Sequence, residues 1–349
     1  MPKTPAGSPP KSAPAKSPAA KSAGANKTPA RRRDVPQRDL FQLDSPLTGE
    51  IRGERSLMAF PFFALAKSAW MKPLSYHHGP VSIEVRPSSN GVATIYDKEI
   101  VLYIASLMAA KLEAGDNVEQ DFVFTAHDLF SVTGSNHSAR SYQRLSEALE
   151  RLQGTQIKTN IEAGGEGEEG FFSWLSEARL HYSKTRTGEK RLKAVKVRLC
   201  DWLYRAILRD RQVLDYAAAY FQLGPIERRI YEVARATSPD SSDGRLEVDL
   251  ATFRLQIGYQ NPLANFRAAL KQIAGTDTIP DYDLALVEGE APAGGTVSRG
   301  RGRKAAPVSV VITRRTRAQD GASGAPRLTE GAGAESGRES AEPAPRDAA

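Results

Sequence analysis

The chain has 349 residues, which is long enough for two domains and additional tails. Its formal net charge is +7, but residues 1–33 carry eight Lys or Arg and no acidic residue, so this charge belongs to the N-terminal end. The single cysteine, Cys200, excludes an intrachain disulfide framework and a cysteine-based zinc site, and it predicts a reducing, cytoplasmic location. No apolar run approaches the roughly 18 residues needed to cross a membrane, and no signal-peptide pattern follows the basic start, so we expect no membrane contact.

Composition divides the chain into two tails and a folded body. Residues 1–37 are rich in Lys, Pro, Ala and Ser, and residues 318–349 are rich in Gly, Ala and Glu. Neither segment has enough apolar residues to form a core, so both are predicted to be disordered. The body is predicted to hold two domains, at 38–200 and 201–317.

The first predicted domain has the pattern of a helix, a strand, a short helix, a longer helix and two strands. Thr125 and Ser138 precede its second and third helices, and both are residue types that cap a helix N-terminus. Gly134 is placed to end the short helix. The predicted bounds are about 97–113 for the first helix, 122–124 for the strand, and about 155–162 and 171–182 for the last two strands.

The same order recurs in the second predicted domain. Asp249 is placed to cap the short helix and Gly258 to end it. The apolar residues of the long helix that follows are spaced by 3, 4 and 3 positions, as they are in the first copy, which marks one buried face. These residues are Leu263, Phe266, Leu270 and Ile273, and the strands are predicted at 246–248, about 279–287 and about 307–313.

Repetition of this pattern indicates an internal duplication of about 125 residues. Helix, strand, helix, helix and two strands joined by a loop is the order of a winged helix-turn-helix domain. The fold class is therefore predicted to be α+β, with two tandem winged helix-turn-helix domains and disordered N- and C-terminal tails. In such domains the third helix usually enters the major groove of DNA.

The first copy is predicted to serve mainly protein contacts, including self-association as a dimer, with auxiliary DNA contact. The predicted wing of this copy includes Glu162, Glu166, Glu168 and Glu169, which DNA phosphates would repel. The arginines of its long helix alternate with glutamates, so intrahelical pairing is expected. These side chains are Arg140, Arg144 and Arg151, with Glu147 and Glu150.

The second copy is predicted to bind double-stranded DNA. Its wing segment alternates Arg and Gly over residues 298–304, which would let guanidinium groups approach a groove wall. The outward face of its long helix carries amides, which can pair with adenine, and cations, which can contact guanine or phosphate. The predicted DNA-binding residues are Asn261, Asn265, Arg267, Lys271 and Gln272 on this helix, Arg299, Arg301, Arg303 and Lys304 in the wing, and Arg228 and Arg229 at the start of the first helix.

No catalytic, metal-binding or cofactor-binding motif is found. The chain has no G-x-x-x-x-G-K-[ST] loop for ATP, and His77-His78 lacks the spacing of a nickase metal site beside Tyr76. His77-His78 is interpreted as part of a turn at Gly79-Pro80. The protein is therefore predicted not to be an enzyme and to need no cofactor or metal.

Four segments resemble the plasmid replication initiator protein A family: RDLF at 38–41, ERSLMAFPFF at 54–63, IYDKE at 95–99 and LGPIERRIY at 223–231. The similarity covers roughly 38–287. It implies an initiator that binds repeated sites in origin DNA, promotes local melting without an ATPase of its own, and recruits a host initiator and the replicative helicase. It also implies that the first domain serves dimerisation and the second dominates recognition.

Three alternative functions stay open at this point. A winged-helix transcriptional repressor, including a repressor of its own promoter, would share every DNA-binding feature. A rolling-circle nickase would need a tyrosine nucleophile and a divalent metal, and a non-specific RNA-binding protein would use the basic tail and the Arg-Gly segment.

Overall fold

A computed structural model describes residues 42–165, 170–237, 244–289 and 307–315. These ranges form a mixed α/β structure with four sheets, in which all paired strands are antiparallel. Among the described residues, no helix is both long and apolar enough to span a bilayer. Both predicted disordered tails, 1–37 and 318–349, lie outside the described residues.

Eight α-helices are described, and the fifth continues into a π-helical turn at Ala206–Asp210. A 3-10 helix at Ala218–Gln222 precedes the sixth. The α-helices are α1 (Arg55–Ala59), α2 (Lys98–Ala114), α3 (Ala126–Thr133), α4 (Ala139–Gly154), α5 (Asp201–Arg205), α6 (Pro225–Thr237), α7 (Leu250–Ile257) and α8 (Leu263–Thr276).

Twelve strands are described, and they form sheets of order β1-β9, β2-β3-β5-β6, β4-β8-β7 and β10-β12-β11. The strands are β1 (Arg52–Glu54), β2 (Leu74–His78), β3 (Val81–Arg86), β4 (Asp121–Phe124), β5 (Gln156–Thr159), β6 (Gly170–Phe172), β7 (Leu175–Lys184), β8 (Lys190–Leu199), β9 (Val213–Asp215), β10 (Arg245–Asp249), β11 (Tyr282–Glu288) and β12 (Val308–Arg314).

The first half of the body folds around α2, whose residues from Ile100 to Ala109 are all buried. Helix α3 begins at a Thr125 cap, whose hydroxyl accepts the backbone N–H of Asp128 at 3.1 Å, and it ends at Gly134 in the left-handed region (φ 69°). Ser138 caps α4 in the same way, through the backbone N–H of Ser141. These caps are confirmed, because each depends on a bond within one helical turn.

The second half repeats this order as α6, β10, α7, α8, β11 and β12. The Asp249 carboxylate accepts the N–H groups of Ala251 and Thr252 at the start of α7, and Gly258 (φ 75°) ends it. Phe266 of α8 is fully buried against the core. Leu263, predicted on the same buried face, is 39% exposed because it is the first residue of α8 and precedes the part that meets the core.

The prediction that residues 155–162 and 171–182 form the last two strands of the first winged helix is wrong. The predicted strands 155–162 and 171–182 overlap β5 and β6, which do pair, with Ile157 opposite Phe172. However, this pair belongs to the sheet β2-β3-β5-β6, in which Ile83 lies opposite Thr159. The chain turns at Trp174, which is fully buried, and enters β7 at Leu175, so the hairpin that completes the β4 sheet is β7–β8. It is this hairpin that corresponds in sheet order to β11–β12.

Packing crosses the predicted domain boundary at residues 200 and 201. Strand β1 pairs with β9, and Met58 and Leu102 from the first half belong to the hydrophobic cluster of the second. The boundary itself stays a prediction. The two halves are joined by strand pairing and by buried side chains, and not only by the chain that connects them.

Candidate nucleic-acid interface

The face of α8 that points away from the core carries the polar side chains predicted for base contacts. Asn265 and Gln272 are exposed, whereas Phe266 between them is fully buried. Asn261 is exposed in the turn before the helix, and its carbonyl accepts a hydrogen bond from Arg254 at 3.0 Å, which fixes that turn. These three amides are therefore exposed to solvent in the described part of the chain.

The two cations on this side of α8 share one carboxylate. Arg267 forms an ion pair with Glu288, and Lys271 Nζ lies 3.7 Å from the same Glu288 oxygen. Glu288 is the last residue of β11 and is well exposed, so water screens these pairs and they are weak. An approaching phosphate would have to compete with Glu288 for both cations.

The predicted Arg-Gly wing leaves the sheet beside this point. Arg299, Arg301, Arg303 and Lys304 lie outside the described residues. The ends of the segment are described: Glu288 pairs with Val308, and the Gly289 N–H donates to the carbonyl of Pro307 at 2.8 Å. The wing therefore starts and finishes next to the residue that holds the α8 cations. Arg314, at the far end of β12, is on the opposite end of the sheet.

The prediction that Arg228 and Arg229 contact DNA is wrong, because both are buried in α6 with exposures of 2% and 1%. Arg228 forms an ion pair with Glu99 of α2 at 2.7 Å, and its guanidinium lies 4.5 Å from the centre of the Tyr96 ring. Arg229 forms an ion pair with Glu232 at 2.7 Å and donates a hydrogen bond to the Met58 carbonyl of the first half at 2.7 Å. Both arginines hold the two halves of the body together.

The β7–β8 hairpin is strongly basic and was missed, because the last strand predicted in the first domain ends at about residue 182. Between Leu175 and Leu199 it has eight Lys or Arg against two Glu. Three of the cations are paired, with Glu177 or Asp121. The other five are exposed and form no ion pair within the described part of the chain: Lys184, Arg186, Lys190, Arg191 and Lys193.

The acidic segment that argued against DNA contact belongs elsewhere. Glu162 follows β5 and is exposed, while Glu166, Glu168 and Glu169 fall outside the described residues. This segment joins β5 to β6 rather than β7 to β8. Its negative charge therefore does not oppose contact between the β7–β8 hairpin and DNA.

The expected Arg–Glu pairing along α4 is also wrong. Arg151 instead donates two hydrogen bonds to Asp97, at 2.7 and 2.8 Å, and the pKa of Arg151 is raised by that contact. Arg140 and Arg144 are exposed and form no ion pair among the described residues, although Arg144 donates to the Ser141 hydroxyl at 3.2 Å. The reason is that Glu147 and Glu150 turn to amide partners, Gln143 and Asn90.

Candidate catalytic groups are not brought together. Tyr76 is only 7% exposed and lies on β2, and His77 and His78 finish that strand before the Gly79 turn (φ 56°). The described residues contain no group of three or more His, Cys, Asp or Glu side chains that could hold a metal. Burial raises the pKa of the Cys200 thiol to about 12, so it is a poor nucleophile.

Comparison with known proteins gives a family, a relative and a shared fold. A family model described as "Replication initiator protein A" matches residues 52–284, about two thirds of the chain. A protein of Wigglesworthia glossinidia brevipalpis named "Putative replication protein" is 29% identical over 254 residues, which are 70% of this chain and 88% of the relative. The crystal structure of domains 2 and 3 of RctB matches with a TM-score of 0.50 and 14% identity, covering 74% of this chain and 98% of that one.

Proposed function

Because this chain belongs to the replication initiator protein A family, we propose that it initiates plasmid replication by binding repeated sites in double-stranded origin DNA. The resemblance found in the sequence is thereby confirmed, and the DNA contacts are what the proposal adds. The observation that carries it is the exposed amide face of α8, set beside both ends of the Arg-Gly segment.

The proposed architecture is two tandem winged helices. In support, both halves run helix, strand, helix, helix, and the sheets β4-β8-β7 and β10-β12-β11 each have their first strand beside their last. Helices α4 and α8 occupy the third-helix position, which winged helices usually place in the major groove. Their buried stripes, around Leu149 and Leu270, face the cores, so the opposite faces are available for DNA.

The second half is proposed to dominate recognition. Asn261, Asn265 and Gln272 would read base edges, since amide side chains pair bidentately with adenine. Lys271 and Arg267 would leave Glu288 for guanine or phosphate, and the Arg-Gly segment would contact the backbone or the minor groove. The first half is proposed to serve self-association and auxiliary contact.

Initiation also requires melting and recruitment, which we propose to occur without catalysis by this chain. Binding energy at repeated sites would be used to bend and unstack an A·T-rich region. A host initiator and the replicative helicase would then be recruited to the opened duplex.

The recognition proposal is tested by footprinting the full chain on the DNA that flanks its gene, followed by affinity measurements on the protected site. Asn265→Ala with Lys271→Ala should relax sequence preference, while Arg301→Ala with Arg303→Ala should weaken binding to every duplex and flatten its salt dependence. Gln143→Ala, which removes an exposed amide from α4, is the matched control for the second half. If both double variants bind origin DNA like the parent, the second half does not recognise the DNA sequence.

The initiator role has a separate test. A plasmid that carries the origin without this gene should fail to replicate, and supply of the protein from a second plasmid should restore replication. Replication without the protein would favour the alternative of a transcriptional repressor. A metal-dependent nick in supercoiled origin DNA, with a protein–tyrosyl adduct, would instead favour a rolling-circle nickase.

A further inference from the structure

The tip of the β7–β8 hairpin presents an exposed aromatic ring among cations that form no ion pair with any described residue. Tyr182 is 53% exposed, although a large aromatic side chain normally contributes to a core. Between Ser183 and Lys193 the tip carries five Lys or Arg and a single carboxylate, that of Glu189. A basic surface with an accessible aromatic ring is the combination that proteins use for single-stranded nucleic acid.

The strand register puts two of these cations directly opposite each other. Lys184 pairs with Lys190, and Tyr182 pairs with Leu192. Since side chains opposite each other share a face, Tyr182 and both lysines lie on one face of the hairpin. Like charges at opposite positions destabilise a hairpin, and neither lysine has an acidic partner in the described part of the chain. An anionic ligand would relieve this repulsion.

A β-bulge in β8 lies opposite the strand that carries the ring. The register shifts between His181 and Tyr182, because His181 pairs with Ala194 while Tyr182 pairs with Leu192, which leaves Lys193 as the extra residue. Bulges re-aim side chains and are common beside functional sites. Leu192 packs against the core from this face, so the ring and the two lysines extend the same face beyond the core.

We infer that this surface binds single-stranded DNA, with Tyr182 stacking on a base while Lys184 and Lys190 neutralise neighbouring phosphates. Every base has a free face for stacking once the duplex is open, whereas a duplex hides its base faces and offers this ring no partner. Tyr182 and Lys184 are two residues apart on the strand, about 7 Å, so one ligand can contact both. The inference rests on the proposed origin melting only for the source of the single strand.

The test uses the full chain and fluorescein-labelled oligothymidylate of 20 nucleotides, measured by anisotropy at several salt concentrations. The parent should bind it, and Tyr182→Ala should weaken binding about five- to 100-fold, whereas Tyr182→Trp should preserve it. Lys184→Ala with Lys190→Ala should reduce the salt slope by about 1.4, the value for two phosphates of a single strand. Met71→Ala is the matched control, because Met71 is a large apolar side chain of similar exposure, 56%, outside the hairpin and has no ring to stack on a base.

The outcomes separate the single-strand site from the duplex site. Duplex affinity, measured on the footprinted origin site, should be unchanged in Tyr182→Ala. The inference is overturned if the parent does not bind oligothymidylate, if Tyr182→Ala binds it like the parent, or if that variant loses duplex affinity equally, which would make the hairpin a duplex contact. Failure of the parent to bind origin duplex would instead remove the proposed function and leave the single-strand result standing.

Discussion

Removing Glu232 should destabilise the protein more than removing Lys98, although the two side chains form one ion pair. Glu232, fully buried in α6, accepts hydrogen bonds from Lys98 at 2.5 Å, Tyr220 at 2.6 Å, Arg229 at 2.7 Å and Tyr216 at 3.2 Å. Lys98 comes from α2 in the first half of the body and is equally buried. One carboxylate therefore satisfies two buried cations and two hydroxyl groups.

The charge count predicts the size of each effect. Lys98→Met leaves Arg229 and Glu232 as a balanced pair, so we expect a loss of about 1.5–3 kcal/mol in the free energy of unfolding, as for a buried hydrogen bond to a charged group. Glu232→Leu leaves two buried cations and two hydroxyl groups without their acceptor, so we expect a loss of about 5 kcal/mol, at the upper end for breaking a buried pair. The double variant should recover part of this loss, because Lys98 is then absent.

Urea unfolding of the parent, both single variants and the double variant forms a double-mutant cycle that measures the coupling. Glu232→Gln, which keeps the shape and an acceptor oxygen, covers the case in which the leucine variant does not fold. If Glu232→Leu costs no more than Lys98→Met, or if the two effects are additive, the charge argument is refuted.

The pH dependence provides an independent check. Burial lowers the pKa of Lys98 to about 8, and Glu232 opposes that shift. The lysine of the unfolded chain keeps its ordinary pKa of 10.5. Between these values the unfolded state binds more protons, so the contribution of Lys98 to the free energy of unfolding should rise as the pH increases from about 8 towards 10.5. Lys98→Met should lack this rise.

Three further predictions concern the second half. Glu288→Gln frees Arg267 and Lys271, so origin-duplex binding should tighten and its salt slope should steepen by about one; unchanged affinity would show that Glu288 does not compete with DNA. Asp249→Ala should lower the free energy of unfolding by about 1 kcal/mol, and Asp249→Asn should lower it by less, because the amide oxygen still caps the helix. Hydrogen bonds from Thr252 lower the pKa of Asp249, so in denaturation at several pH values the charge-dependent part of the cap's contribution should be present above pH 3.8 and lost as the pH falls through the lowered pKa. Phe266→Ala should cost about 3–5 kcal/mol in urea unfolding, since the ring is fully buried; a loss below 1 kcal/mol would refute its place in the core.

The sequence determined the helical parts of both copies because their signals are local. Thr125, Ser138 and Asp249 bond to backbone groups two or three residues away, and glycines at positive φ end α3 and α7. Each of these features depends on neighbouring residues, so the same residues give the same structure wherever the helix packs. The repeated order of elements follows from such signals.

The tertiary structure decided which strands complete each sheet and which charges face solvent. Phe122 of β4 pairs with Val197 rather than with a nearer strand, and this choice made the basic β7–β8 hairpin the counterpart of β11–β12. Arg228 has the sequence signature of a surface cation, yet it is buried. Its partner there is Glu99, which lies 129 residues away along the chain. The physical reason is the same in both cases: strand pairing and ion pairing satisfy groups brought together by packing, and the distance along the chain between those groups carries no local signal.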